Sequence, residues 1–120
     1  MTVTEHELEE AAKAPRVTLE QVRASVKAEY VFSAATAAYS AGYRDLPPDE
    51  VRNLSVLTFV VLVLNNGYTV TGQSACADPK NFNKDIGHRL AREDAFKKLW
   101  PLLGYELRTT LHEAEKVFSK

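Results

Sequence analysis

Cysteine is almost missing from this chain of 120 residues: Cys76 stands alone, so no internal disulfide can staple the fold. Histidine is scarce too, and His6, His88 and His112 are too scattered along the sequence to suggest a metal cluster. No stretch reaches the ~18 to 20 uncharged apolar residues that a membrane span needs. The N-terminus carries Glu5, Glu7, Glu9 and Glu10, which is unlike a signal peptide, so a cytosolic protein is the default expectation. There is no paired-carboxylate arrangement, no Ser/His/Asp or Cys/His constellation with recognisable spacing, and no Gly-rich phosphate loop. The expectation is a protein that is not an enzyme and carries no cofactor. Repeats, low-complexity tracts and interdomain linkers are lacking as well. With 45% hydrophobic and 26% charged residues, the chain reads as one globular domain.

The net charge of -1 conceals an asymmetry. Residues 1–50 hold nine acids and five bases, whereas residues 80–108 hold seven bases and four acids. A surplus of three positive charges is too mild for a duplex nucleic-acid partner gripped by many phosphate contacts, but it suits a small anion.

What is present centres on residues 57–100. Asn66-Gly67 between two β-prone runs predicts a hairpin of Leu57–Leu64 and Tyr68–Cys76 with a two-residue type I′ turn. With Asn66 and Gly67 as the central pair, Val61 faces Gly72 and Val60 faces Gln73. One face then carries Phe59, Val61, Val63 and Val70 around Gly72 as core. The other sets Val60, Leu62 and Leu64 against Thr69, Thr71 and Gln73, and these aliphatics need a further cover. A helix at residues 18–41 or a second subunit would supply it.

Beyond Asp78-Pro79 one long helix is expected, with Phe82, Ile86 and Leu90 in one row, Gly87, Ala91 and Ala95 beside them, and Phe96, Leu99 and Trp100 completing the apolar side. A glycine inside a helix costs about 1 kcal/mol against alanine. Close packing of Gly87 over the bare Gly72 would compensate.

Upstream, Thr4 with Glu7 and Thr18 with Gln21 fit capping boxes. The second opens a helix bearing Leu19, Val22, Val26 and Tyr30, then Ala34, Ala35, Ala38 and Tyr39, and ending at Gly42. Asp49–Asn53 suits one short helical turn. Pro101 and Gly104 mark the end of the long helix, Tyr105–Arg108 a short strand, and Thr110 with Glu113 a last helix. The fold class is therefore α+β: a mainly helical part over 1–54, a hairpin with its long helix over 55–108, and a C-terminal helix over 109–120.

Several residues are candidates for ligand contact, each with a plain alternative. The helix entry near Asn81 and Asn83, flanked by Lys80 and Lys84, could receive an anion, or the asparagines simply cap the helix. Phe82 could stack on a nucleobase or form the first core rung of its helix. Lys84, His88 and Arg92 share one face, with Arg89 alongside and Arg108 within possible reach, a set suited to a diphosphate. A solvated face with local pairs such as Asp85 with Arg89 is the alternative. Thr69, Thr71, Gln73 and Ser74 could meet sugar hydroxyls or merely face water.

Asn66 to Ser74, Asp78 to Gly87, Ala91 to Ala95 and Trp100 to Leu107, in that order, resemble a family of small tailed-phage proteins that includes the Thoeris anti-defence sponges. The resemblance implies a non-catalytic trap in the host cytoplasm for a cyclic nucleotide immune signal, either a cyclic ADP-ribose isomer or a CBASS-type cyclic oligonucleotide. It also implies a homodimer or higher oligomer with sites between subunits. Phe82 would be the base-stacking aromatic, and Arg89, Arg92 and Arg108 would face phosphate; Lys84, His88 and Thr71 complete the candidate set. Asp94 stands where the family's helix motif has asparagine, Asn83 where aspartate is common, and the segment 33–53 is longer than usual. A small phage structural or interaction protein assembling through its apolar strand is the other reading.

Overall fold

In the computed structural model, which describes Thr4 and residues 15–118, the expected first strand of the hairpin is the centre of a three-stranded antiparallel sheet. Strand β1 (Val26–Ser33) pairs with β2 (Leu57–Leu64), and β2 pairs with β3 (Thr69–Ala75). Five helices complete the described chain: α1 (Leu19–Ala24), α2 (Ala34–Ser40), α3 (Pro48–Ser55), α4 (Lys84–Lys97) and α5 (Leu99–Phe118), with a 3₁₀ turn at Pro79–Asn81. The class is α+β. The chain divides into two compact units, Val26–Lys98 and the residues on either side of it.

Within Val26–Lys98, the alternation along β2 decides what is buried. Thr58, Val60, Leu62 and Leu64 are buried, while Leu57, Phe59, Val61 and Val63 are half-covered. Burial of each such aliphatic side chain is worth about 1.5–3 kcal/mol. Val70 on β3 joins the same face, and Gly72 lies opposite Val60. On β2 this reverses the expected faces, while Val70 and Gly72 keep to the core side as expected, and the turn explains why. Gly67 alone in the turn has positive φ, at 89°, and the Leu64 N–H donates to the Tyr68 carbonyl at 2.8 Å. The loop is therefore Asn65-Asn66-Gly67, three residues rather than two, with the Asn66 carboxamide accepting the Tyr68 N–H. One extra loop residue shifts the register by one, and every pairing moves with it.

Helix α4 covers that buried face with its row of small residues. Gly87, Ala91 and Ala95 are buried, whereas Ile86 and Leu90, expected in the core, are exposed. A Cβ on Gly72 would stand 2.2 Å from the Ala91 carbonyl oxygen and 2.4 Å from the Ala95 nitrogen, so helix and strand touch backbone to backbone there. Bulky rows cannot enter so narrow a gap; small residues must face the sheet. The anticipated contact over Gly72 is present, made by Ala91 and Ala95, while Gly87 faces Thr58 and Phe82 instead.

The largest departure is β1. Residues 26–33, expected as the middle of one helix, form an edge strand in register with β2 from Val31 opposite Val60 to Ser33 opposite Thr58, with an irregularity between Val26 and Ala28. The capping box at Thr18 and Gln21 does open a helix, but it ends at Ala24. Pairing with the apolar β2 outweighs the helical spacing of Val22, Val26 and Tyr30. Ser33 then caps α2, and Gly42, at φ 105°, ends it as expected. The turn expected at Asp49–Asn53 is helix α3.

In the other unit, α5 runs unbroken from Leu99 to Phe118, so the short strand expected at Tyr105–Arg108 does not form. Pro101 marks a helix start rather than an end. It falls in the first turn of α5, where no N–H is needed, and its ring opposes continuation of α4 through the Lys97 carbonyl. Val22 and Leu99 are fully buried within this unit. The helix start expected at Thr4 and Glu7 falls mainly on residues outside those described.

Candidate functional site

A cavity of about 370 Å³ opens where β1, α2, α3 and β2 meet the beginning of α4. Val31, Phe32 and Ser33 come from β1, Thr36 from α2, Ser55 from α3 and Thr58 from β2, with Phe82, Lys84 and His88 facing them. Its size lies in the range of small-molecule sites.

Local rules place these groups. Asp78 accepts the Lys80 N–H at 3.0 Å and so starts the 3₁₀ turn, which leaves Phe82 in extended backbone just ahead of α4. Asn83 caps the helix, its carboxamide oxygen accepting the N–H groups of Asp85 and Ile86 at 3.0 and 3.2 Å. The capping alternative holds here, and these two donors are not free for an anion. Phe82 is half-buried, and its ring lies 3.2 Å from where a Gly87 Cβ would be. It is not a rung of α4, because the helix begins two residues later.

Lys84 and His88, one turn apart on α4, both line the cavity. Ser33 and Thr36 hydroxyls bond each other at 3.1 Å, and the Ser55 hydroxyl donates back to the Val51 carbonyl at 2.7 Å. Thr58 differs. It is 3% exposed, yet among the described residues no hydrogen bond engages its hydroxyl, and no unpartnered side-chain oxygen is sealed from solvent. Its Oγ1 therefore retains access through the cavity that Thr58 lines.

The other candidates are not among the residues that line the cavity. Arg92 donates to the Glu29 carboxylate at 2.8 Å and stacks its guanidinium over the Phe96 ring at 4.5 Å. Arg89 is exposed and is not among the lining residues. Asp85, offered as its local partner, makes no ion pair with it among the described residues. Arg108 belongs to α5 in the other unit, where Glu115 takes it at 3.1 Å. The Thr71 side chain is exposed on the sheet face away from α4; the residue's carbonyl accepts from the Lys98 ammonium at 2.6 Å.

Asp94 has a structural task. Its carboxylate accepts the Gln73 N–H on the outer edge of β3 at 3.0 Å, with the Lys98 and Lys97 ammonium groups at 3.6 and 3.9 Å. That backbone bond is the largest cause holding the carboxyl below its ordinary range; burial opposes it, and the two lysines add to the lowering. An asparagine here would keep the backbone bond through its carbonyl oxygen.

Sequence reasoning passed over Thr58, Ser33, Thr36 and Ser55. The one available signal was Thr58 itself, a hydroxyl inside the apolar run from Val56 to Leu64. Among the described residues no group of three or more metal-ligating side chains forms a metal site, and no helix is long and apolar enough to cross a membrane.

Residues 17–111 match the sequence pattern of a family described as phage protein (N4 Gp49/phage Sf6 gene 66). No curated protein and no solved structure matches the chain.

Proposed function

The chain belongs to the N4 Gp49/phage Sf6 gene 66 family of phage proteins, and from that premise we propose that it binds a cyclic nucleotide immune signal and sequesters it, unaltered, in the host cytoplasm. The observation that carries this reading is the cavity shared by Phe82, Lys84, His88 and the Thr58 hydroxyl. An aromatic ring can stack on a base, the ammonium and imidazole can meet phosphate, and hydroxyls can meet the sugar or the base edge. Sequestration requires tight binding and no reacting group, and the motif resemblance to phage sponges points the same way.

The test is thermal denaturation with a cyclic ADP-ribose isomer and with cyclic dinucleotides, followed by heat release and assay of the ligand. Stabilisation of about 2.7 kcal/mol is expected at a hundredfold excess over Kd, with intact ligand recovered. Altered ligand would make the protein an enzyme. Phe82→Ala should abolish that stabilisation and leave the free protein folded; an unfolded variant would return Phe82 to a core role.

A second reading, a non-enzymatic phage interaction protein that assembles with itself, draws on one observation. The sheet face away from α4 carries Phe59, Val61 and Val63 beside an exposed Tyr30. The two readings are compatible if the sequestering form is a homo-oligomer.

A further inference from the structure

We infer that Thr58 is the residue that selects the nucleoside part of the ligand, its hydroxyl waiting at the cavity floor for a hydrogen bond that the protein does not supply. The inference rests on the nucleotide-binding reading above and adds to it a specificity-determining position that neither the composition nor the motifs single out.

Three features of the geometry carry it. First, a hydroxyl on a buried residue normally finds a protein partner, because a polar group cut off from hydrogen bonding costs stability; the Thr58 Oγ1 can meet that need only through the cavity. Thr58, at 3% exposure, has none among the described residues, although Ser33, Thr36 and Ser55 around it all do. Second, Gly87 packs against the same two cavity-lining groups: a Cβ there would come within 3.1 Å of Thr58 Oγ1 and 3.2 Å of the Phe82 ring and would crowd both. A helix that gives up alanine at this point loses stability and gains approach to one hydroxyl and one aromatic ring. Third, the two groups able to carry positive charge, Lys84 and His88, both stand on α4, whereas the strand side of the cavity contributes Val31, Phe32, Ser33 and Thr58 and no charge. Phosphate belongs with the first set. The neutral, hydroxyl-bearing side suits a base edge or a ribose hydroxyl, placed beside Phe82.

The experiment compares wild type with Thr58→Val, which exchanges the hydroxyl for a methyl of similar size. Probes are adenosine 5′-monophosphate, a cyclic ADP-ribose isomer and inorganic pyrophosphate, titrated by calorimetry, with the Tm of each free protein measured alongside. Thr58→Val should weaken both nucleotides about five- to tenfold, the worth of one neutral hydrogen bond, and leave pyrophosphate unchanged. The free variant should melt at or above the wild-type temperature, since the hydroxyl makes no hydrogen bond to the protein and a methyl of similar size fills the same space. Equal nucleotide affinity in variant and wild type overturns the role of Thr58 while leaving the binding reading intact. A lower Tm of the free variant overturns it too, because the hydroxyl would then serve the fold. Failure of wild type to bind any nucleotide overturns both readings together.

Discussion

Gly72 is the residue on which the most packing depends. An alanine there would push its methyl to 2.2–2.7 Å from the backbone of Ala91 and Ala95 and the Ala95 methyl, atoms that cannot swing aside as a flexible side chain would. Gly72→Ala should therefore destabilise the protein by about 3 kcal/mol in urea denaturation. Asp94 gives a prediction of a different kind. Its carboxyl is held below the ordinary range by the Gln73 N–H and the two lysines, so its contribution is present above the unfolded value near 3.9 and is lost as pH falls through the lower folded value. In Asp94→Asn the backbone bond survives and the titration does not. The stability advantage of wild type over this variant should be largest at pH 7 and shrink between pH 5 and pH 2, read from denaturation midpoints. The residue that most resembles a site determinant, Thr58, was the least legible in the sequence, since a threonine in a strand is ordinary and its missing partner shows only in three dimensions.

Elements were read best where a side chain acts on its own neighbours. Thr18 with Gln21, the glycine stop at Gly42, and the strand Leu57–Leu64 all stand where local chemistry puts them. Where distant pairing decides the outcome, local sequence is silent. Val22, Val26 and Tyr30 share a helical stripe as well as they fit a strand, and only β2 beside them settles the matter for residues 26–33. Asn66-Gly67 marks the hairpin without fixing its register, because it fits a two-residue turn as readily as the last two positions of a three-residue loop. That loop makes its own prediction. Gly67→Ala should cost about 1 kcal/mol, since φ of 89° strains any residue with a Cβ, and Gly104→Ala, inside α5 with open space around it, should be neutral or stabilising. Chemical denaturation of the two variants side by side checks both. At the head of α4, Asn83→Ala should remove both cap bonds at a cost of about 1 kcal/mol, seen as a lower Tm.

At the scale of the molecule, the family match over residues 17–111 takes in the whole sheet-and-helix unit Val26–Lys98 and runs into α5. The candidate cavity lies entirely inside that unit, and Arg108, on α5, belongs to the other one. The apolar sheet face opposite α4 yields a prediction about assembly. Val61→Lys should lower the mass found by sedimentation if copies meet through Val61 and Phe59, and leave the circular dichroism spectrum unchanged. Alternation along β2 makes one of its faces core, and because both are aliphatic the face expected from the sequence, Phe59 with Val61 and Val63, is the opposite of the one buried.

The two tethers from α4 and the residue after it to β3 reach further than the stability of one chain. Asp94 occupies the outward N–H of Gln73, and Lys98 occupies the outward carbonyl of Thr71. A neighbouring strand finds those two positions taken, which disfavours this margin of the ribbon as a template for another. Blunting one edge of a three-stranded sheet in this way works against open-ended strand addition, the route by which such ribbons grow into fibrils.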